Sequence, residues 1–497
     1  MIKGFSVKTI RPRSLLPFAF GIGAALFGCN SCDKQRKIAP PVPTSTSAAT
    51  TAAARPAAKP LAKPAEVAPV HTAPSLGTLL SKCLNLPKTP INSLSQLGCL
   101  VGGTKSAREK INEARSAYLK LFGQNLEKGT IILRKPKNDA VSEGIGFGGV
   151  LFGVSGGLAA AGLALSGGNS QENQHSFWQL YNARNAYFLQ ENGVMAWLVN
   201  ADGSVQSTDS ASDGDQDWIA SELIVLNQIQ CGKWQMPSSL TLQSFRAQIQ
   251  KDVNAFWKNH VRERNGRLVF LPSNGSWARR GDGRDVYYAS YPDPHFLGLF
   301  AEFDPAHDWR KLADDVQNLN QTILNNHQNL GASGQNPMPA KVFVKVNSNG
   351  RFLVENYYEI SRNEGIPEVD LVDNELDSIR FLLRMARAAV MDGDRSAKKI
   401  SQQLLTIANI SGPSSAHILA KSKGAPSPLG FNNTLARASY GIAVLGSGDA
   451  SKAERFFCTV MNDHQGQFFG EWDGAKNYYY DQSLILQILD LAFIYNN

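Results

Sequence analysis

From about residue 105 onward, apolar side chains recur at three- and four-residue spacing in ten successive segments, and this repetition limits the possible folds more than any other feature. The segments are 106–122, 172–190, 215–230, 240–260, 308–328, 373–391, 396–409, 432–446, 449–463 and 477–495. Such a period puts an apolar stripe on each helix, and each stripe needs another element to cover it. Strand-like pieces are few. Residues 194–199, then Asn200-Ala201-Asp202-Gly203, then Ser204-Val205-Gln206 read as a hairpin with an Asp-Gly turn. Residues 341–346, then Asn347-Ser348-Asn349-Gly350, then 351–360 read as a second. This pattern predicts an all-α helical toroid carrying two small β-hairpins, not a sheet-based fold.

The residues before that region have another character. Four basic side chains precede an apolar run from Leu15 to Gly28, the pattern of a signal peptide over 1–28. The run is short for a spanning helix, which needs ~20 apolar residues. It ends Leu26-Phe27-Gly28-Cys29, which resembles the lipobox of bacterial lipoproteins. That resemblance implies lipidation at Cys29 and a membrane anchor. Asn30 in place of Asp then favours an exported, outer-membrane lipoprotein, periplasmic or on the cell surface. Residues 38–75 are rich in Pro, Ala, Thr and Lys and cannot bury enough apolar surface to fold, so 29–75 is expected to be a lipid-anchored, disordered tether. Residues 76–105 form an extension to which no role is assigned.

The net charge of +8 belongs to this leader and tether. Residues 1–75 hold ten of the 50 basic side chains and two of the 42 acidic ones, which leaves 40 of each in 76–497. A formally neutral folded region gives no case for a nucleic-acid partner. Of the six cysteines, Cys83 and Cys99 can pair in an oxidising compartment, while Cys231 and Cys458 read equally well as buried thiols. No cysteine pair lies near a histidine cluster at zinc spacing, so neither a metal nor a cofactor is expected.

Residues 145–165 are apolar and hold seven glycines, each weakening an isolated helix by about 1 kcal/mol relative to Ala. A buried helix with a glycine-rich continuation is expected there rather than a membrane span.

Three acidic positions stand out by local company. Glu143 opens this apolar stretch within Ser142-Glu143-Gly144-Ile145-Gly146-Phe147-Gly148. A carboxyl at an apolar edge is disfavoured as an anion and so suits a general acid. Asp213 lies in Ser210-Ala211-Ser212-Asp213-Gly214-Asp215-Gln216-Asp217, whose alternating acids also suit calcium binding or a helix N-cap. Asp377 precedes Arg380 by three residues, a spacing that pairs side chains on one helix face. Taken singly, each is better explained by local structure than by catalysis.

Taken together, the three resemble the signature of glycoside hydrolase family 8 in order and spacing. That family's proton donor lies in Ser-Glu-Gly-x-x-Tyr/Phe-Gly, its second motif reads Ser/Ala-Ala-Ser/Thr-Asp-Gly/Ala-Asp, and its base lies in Tyr-Asp-Ala-x-Arg. Met195-Ala196-Trp197, Ser290-Tyr291-Pro292-Asp293-Pro294 and Tyr478-Tyr479-Tyr480 are further echoes. The chain departs from the pattern at Leu376, where the family has Tyr, and at Ser378, where it has Ala.

The resemblance covers about residues 106–497 and implies an (α/α)6 barrel that hydrolyses glycosides with inversion. Glu143 would be the acid, Asp377 the base and Asp213 the residue holding the sugar at the cleavage point. Arg380 would hold Asp377 ionised and oriented. Trp197, Tyr291, Trp277 and Tyr479 would meet substrate, and Trp178 is a further candidate platform. A β-1,4-glucan of the cellulose type is the expected substrate, linked to exopolysaccharide turnover or secretion, for a protein acting as a monomer. A xylanase or chitosanase on the same scaffold, or a non-catalytic glycan-binding lipoprotein, are the alternatives.

Overall fold

The ten periodic segments all form helices, and their boundaries follow the capping chemistry. The computed structural model describes residues 106–134, 137–160, 170–330, 338–339, 341–364, 375–416, 420–422, 425–427, 433–470 and 478–494. The expected signal peptide, Cys29, the tether, residues 76–105, and Cys83 with Cys99 lie outside the described residues, as do the side chains of Leu376, Asp377 and Ser378.

In chain order the elements are α1 Ala107–Phe122, β1 Gly123–Leu126, β2 Gly129–Arg134, β3 Asp139–Val141, α2 Ser142–Ala160, α3 Ser170–Ala183, β4 Leu198–Asn200, β5 Val205–Ser207, α4 Ser212–Gln230, α5 Leu242–His260, β6 Val261–Arg264, β7 Arg267–Phe270, β8 Asp285–Tyr288, α6 Pro294–Phe303 and α7 Trp309–Asn325. They continue with β9 Lys341–Val346, β10 Phe352–Asn356, α8 Tyr357–Asn363, α9 Glu375–Met391, α10 Arg395–Ile407, β11 Ala420–Ser422, β12 Ala425–Ser427, α11 Asn433–Ser447, α12 Ala450–Asn462 and α13 Tyr478–Ile494. Ser106 caps α1 through Glu109, and Asp308, Asp394 and Asp449 cap α7, α10 and α12, each taking up otherwise unpaired backbone N–H groups.

Six helices close into a ring. The helix α2 packs on α4, α4 on α6, α6 on α9, α9 on α11, α11 on α13, and α13 returns to α2. A second helix backs each of these: α3 on α2, α5 on α4, α7 on α6, α10 on α9, α12 on α11 and α1 on α13. The alternation is consistent with the expected (α/α)6 barrel. The amphipathic outer helices each bury one stripe, whereas α2 and α13 are apolar nearly all round because neighbours cover them on every side.

The glycines of α2 serve this close packing. A Cβ on Gly146 would lie 2.6 Å from the Gly214 carbonyl, and one on Gly149 would lie 2.6 Å from the Ser221 hydroxyl. Among the described residues no helix is long and apolar enough to cross a membrane.

Strand content exceeds the two hairpins expected. A five-stranded sheet runs β1-β2-β3-β4-β5, a three-stranded sheet runs β10-β9-β8, and β6-β7 and β11-β12 form separate pairs. The β6-β7 turn is Asn265-Gly266, both at positive φ (46° and 76°), which is the hairpin geometry that Asn-Gly favours. Residues 357–360, expected at the end of a strand, instead begin helix α8. The helix α6, absent from the periodic segments, starts at Pro294 behind an Asp293 cap. Cys231 and Cys458 are both disulfide-bonded, which replaces the buried-thiol reading.

Candidate active site

The sequence around Glu143 and the sequence around Asp213 meet because two helices start side by side. A Cβ on Gly214 would lie 2.8 Å from the Ser142 carbonyl carbon and 2.9 Å from the Glu143 amide nitrogen. Only a glycine lets the backbones come this close. The first turn of α2 thus rests against the first turn of α4, and Glu143 and Asp213 are brought to one end of the ring.

Glu143 is partly exposed, and Ser142 Oγ lies 3.4 Å from its Oε2. Burial among apolar neighbours pushes its pKa above the ordinary carboxyl value. Arg380 opposes this most strongly, followed by the Glu143 backbone amide, Arg134 and a hydrogen bond from the Trp197 side chain. A carboxyl that binds its proton more tightly than usual yet faces cationic and N–H groups is suited to donating that proton to a leaving oxygen.

Asp213 is fully buried and forms an ion pair with the Arg380 guanidinium, itself 2% exposed. Its Oδ1 has no hydrogen-bond partner among the described residues. Arg380 lies over three rings, 4.8 Å from the Tyr291 centroid, 5.5 Å from Tyr480 and 5.9 Å from Phe147. This cage fixes the guanidinium, while burial lowers its pKa. Asp377 lies in the first turn of the same helix, three residues before Arg380.

The other acids of the alternating cluster go to separate partners. Asp215 accepts from the Met195 amide at 2.8 Å and lies 3.0 Å from His260 Nε2. Asp217 takes Arg384 in a two-point contact at 2.7 and 3.2 Å. Arg384 also donates to the Ser290 carbonyl at 2.9 Å, and Arg387 pairs with Asp293. Three arginines, Arg380, Arg384 and Arg387, thus line one face of α9 and hold Asp213, Asp217 and Asp293. Sequence reasoning passed over Arg384 and Arg387. Their i, i+4, i+7 spacing with Arg380 on an expected helix, facing acids four apart at Asp213 and Asp217, was the available signal.

The aromatic candidates separate by exposure. Trp197 is 36% and Trp277 42% exposed, and Asp209 ties them together. Its carbonyl accepts from the Trp197 amide at 2.6 Å, and its carboxylate accepts from Trp277 Nε1 at 3.3 Å. The Arg134 guanidinium sits 5.9 Å from the Trp197 ring and is held by Asp139 at 2.6 Å. Tyr291 is buried between Arg380 and Tyr288, whose ring centroid is 4.8 Å away. Tyr479 is buried, and burial, then Glu143, pushes its pKa up. Trp178 is partly buried and packs edge-on against Phe177, Tyr181 and Phe245 at 5.1–5.5 Å, against the hydrophobic core.

Residues 136–333 match the sequence model of the glycosyl hydrolases family 8. This span contains Glu143, Trp197, Asp213, Trp277 and Tyr291, while Asp377, Arg380 and Tyr479 lie beyond it. No curated protein matches the chain in sequence. Among solved structures, the chain is similar to a beta-1,3-1,4-glucanase from Paenibacillus sp. X4, with 17% identity, a TM-score of 0.58, and coverage of 79% of this chain and 94% of that one. It is also similar to the endo-beta-1,4-glucanase CMCax from Acetobacter xylinum, with 13% identity, a TM-score of 0.51, and coverage of 77% and 98%. Rex8A from Paenibacillus barcinonensis, solved with xylose, gives 17% identity, a TM-score of 0.52, and coverage of 79% and 94%. The segment that brings Glu143 and Asp213 together therefore carries the family 8 glycosyl hydrolase pattern, and the chain has the fold of these solved enzymes.

Proposed function

We propose that the protein is an inverting glycoside hydrolase acting on a β-1,4-linked glucan. The observation that carries this reading is the buried ion pair of Asp213 and Arg380 beside a Glu143 whose pKa burial has raised. Inversion requires a carboxylic acid to protonate the leaving oxygen and a carboxylate to activate water on the opposite face of the ring. Glu143 is the acid. Asp377 is the base, delivered by the same helix turn that delivers Arg380. Asp213, with Oδ1 free of described partners, holds a hydroxyl of the sugar at the cleavage point. Trp197 and Trp277 offer the flat apolar faces that sugar rings stack on.

The glucan preference rests on the similarity to two glucanases, those of Paenibacillus sp. X4 and Acetobacter xylinum, and the Rex8A similarity keeps a xylan-type chain as the alternative. The leader and the Cys29 motif support an exported, lipid-anchored enzyme engaged in exopolysaccharide turnover.

Product release from a soluble β-1,4-glucan, a mixed-linkage glucan, xylan and chitosan, with the anomer of the fresh reducing end read by NMR, tests the reading. Glu143→Gln and Asp377→Asn should each lower the rate by roughly 10²–10⁴-fold. Glycan binding that persists with no hydrolysis of any of the four polymers would instead identify a non-catalytic binding protein.

A further inference from the structure

A cavity of about 570 Å³ opens beside Trp277, lined among others by Arg279, Arg280, Asp282, Val286, Phe343 and Tyr357, and Lys341 adjoins it through the Tyr357 ring. It lies at the end of a row of rings. Trp277 is 6.1 Å from Tyr288, Tyr288 is 4.8 Å from Tyr291, and Tyr291 covers Arg380. A glycan leaving the Glu143–Asp213 end over Trp277 would thus pass into this cavity.

Its floor is one face of the three-stranded sheet. Val286 pairs directly opposite Phe343, and Tyr288 opposite Lys341. Positions two apart on a strand share a face, so these four side chains stand together. Lys341 Nζ lies 5.1 Å from the Tyr288 ring and 5.7 Å from the Tyr357 ring.

The charges around the cavity do not balance. Arg280 and Arg284 share Asp282 and Glu364, and Lys345 holds Glu355 at 3.0 Å. Arg262 and Arg264 both occupy Asp285, at 2.8 and 2.9 Å. That leaves Arg279 and Lys341, neither in an ion pair among the described residues. Arg279 donates to the Asn259 carbonyl, and its buried Nε has no hydrogen-bond partner there. Asp285 also attracts Arg279, but it is already held by the Arg262 and Arg264 guanidinia. A guanidinium always carries its charge, and a partly buried one with no ion pair of its own calls for an anion.

We propose that this cavity is a subsite for a sugar bearing a carboxylate, so that the preferred substrate is a β-1,4-glucan carrying acidic residues. The proposal rests on the hydrolase reading above and narrows its substrate. The carboxylate meets Arg279 and Lys341, while the sugar ring lies against Trp277. The same two cations would repel the ammonium groups of chitosan.

The test uses the Glu143→Gln protein, so that binding is read without turnover. Calorimetry compares a neutral cello-oligosaccharide with the same chain oxidised to carboxylates at C6. The carboxylated chain should bind about tenfold more tightly, the effect of roughly one charge-assisted hydrogen bond. About 0.5 M NaCl should remove most of the preference. It should also fall in Arg279→Gln and in Lys341→Gln. Lys341→Gln keeps the test decisive if loss of the Arg279–Asn259 contact disturbs folding. Equal binding of the two chains, or a preference kept in a folded Lys341→Gln protein at its full size, overturns the subsite. A preference for the carboxylated chain with no cleavage of either chain by the unsubstituted protein upholds the subsite and removes the hydrolase reading.

Discussion

Arg380 and Asp213 form an ion pair inside the ring although 167 residues separate them in sequence. A second arginine–aspartate pair, Arg384–Asp217, repeats it one helical turn further on. Removing one member of such a pair leaves an uncompensated buried charge, which typically costs 3–5 kcal/mol. Arg380→Met should therefore destabilise strongly. Asp213→Asn keeps an oxygen toward Arg380 and should be milder in stability while lowering kcat. In a double-mutant cycle of Asp213→Asn with Arg380→Gln, the stability changes should be non-additive by about 2 kcal/mol. Additive denaturant midpoints would mean that the pair contributes no coupling.

Trp197 presents a ring face, and its side chain also lowers the Glu143 pKa by hydrogen bonding. A hydrogen bond to the ionised carboxylate lowers its pKa, so removing the donor raises it. Trp197→Phe should move the alkaline limb of kcat/KM, set by the acid Glu143, to higher pH. Leucine at 197 should also raise KM because the stacking face is lost. An alkaline limb that stays in place in Trp197→Phe would show that the indole does not act on Glu143.

The approach of α2 to α4 leaves no room beside Gly214. Gly214→Ala should cost about 1–3 kcal/mol by overpacking and should lower activity, because Glu143 moves with its backbone. At Gly298, in the helix Pro294–Phe303, a methyl group would meet nothing within 4 Å. Gly298→Ala is expected to be neutral or to stabilise by ~0.5–1 kcal/mol through the unfolded chain. Thermal melts of the two variants side by side provide the comparison.

Asp481, buried in the first turn of Tyr478–Ile494, has its pKa pushed up to about 7 by burial. An acid with a raised folded pKa binds its proton more tightly in the folded state. Its stabilising contribution is complete below the unfolded value of 3.8 and is lost as pH rises through about 7. Wild-type stability should fall relative to Asp481→Asn across this window, by ~4 kcal/mol at most. Melting temperatures from pH 4 to pH 8 would show the gap widening with pH, and a gap independent of pH would place Asp481 in a more polar setting.

Much of this architecture is local and so is legible in the chain. Every periodic apolar segment is a helix, since a repeated stripe has few other ways to be buried. The glycines of the Glu143 and Asp213 motifs are visible in the sequence too, although their meaning is not. Composition says only that they weaken a helix, whereas Gly146, Gly149 and Gly214 let two helices touch. The Asn265-Gly266 turn carries its own local signal, beyond the two hairpins expected. Residues 357–360 suit a strand by their aromatic and β-branched side chains, yet the Asn356 side chain accepts from the Glu359 amide and starts a helix turn.

By itself, the sequence determined the ten periodic helices and their order, the candidate carboxylates and the neutrality of the folded region, because each depends on neighbours within a few residues; the helices Pro294–Phe303 and Tyr357–Asn363 carried no such stripe. Only the tertiary structure decided that Arg380 serves Asp213, that Trp178 packs against the core while Trp197 and Trp277 are exposed, and that Arg279, lining a cavity, and Lys341, beside it, make no ion pair among the described residues. Those outcomes depend on which helix closes against which. Ion pairing and burial are set by distance in space, and a chain that returns on itself after 167 residues does not encode that distance in any local pattern.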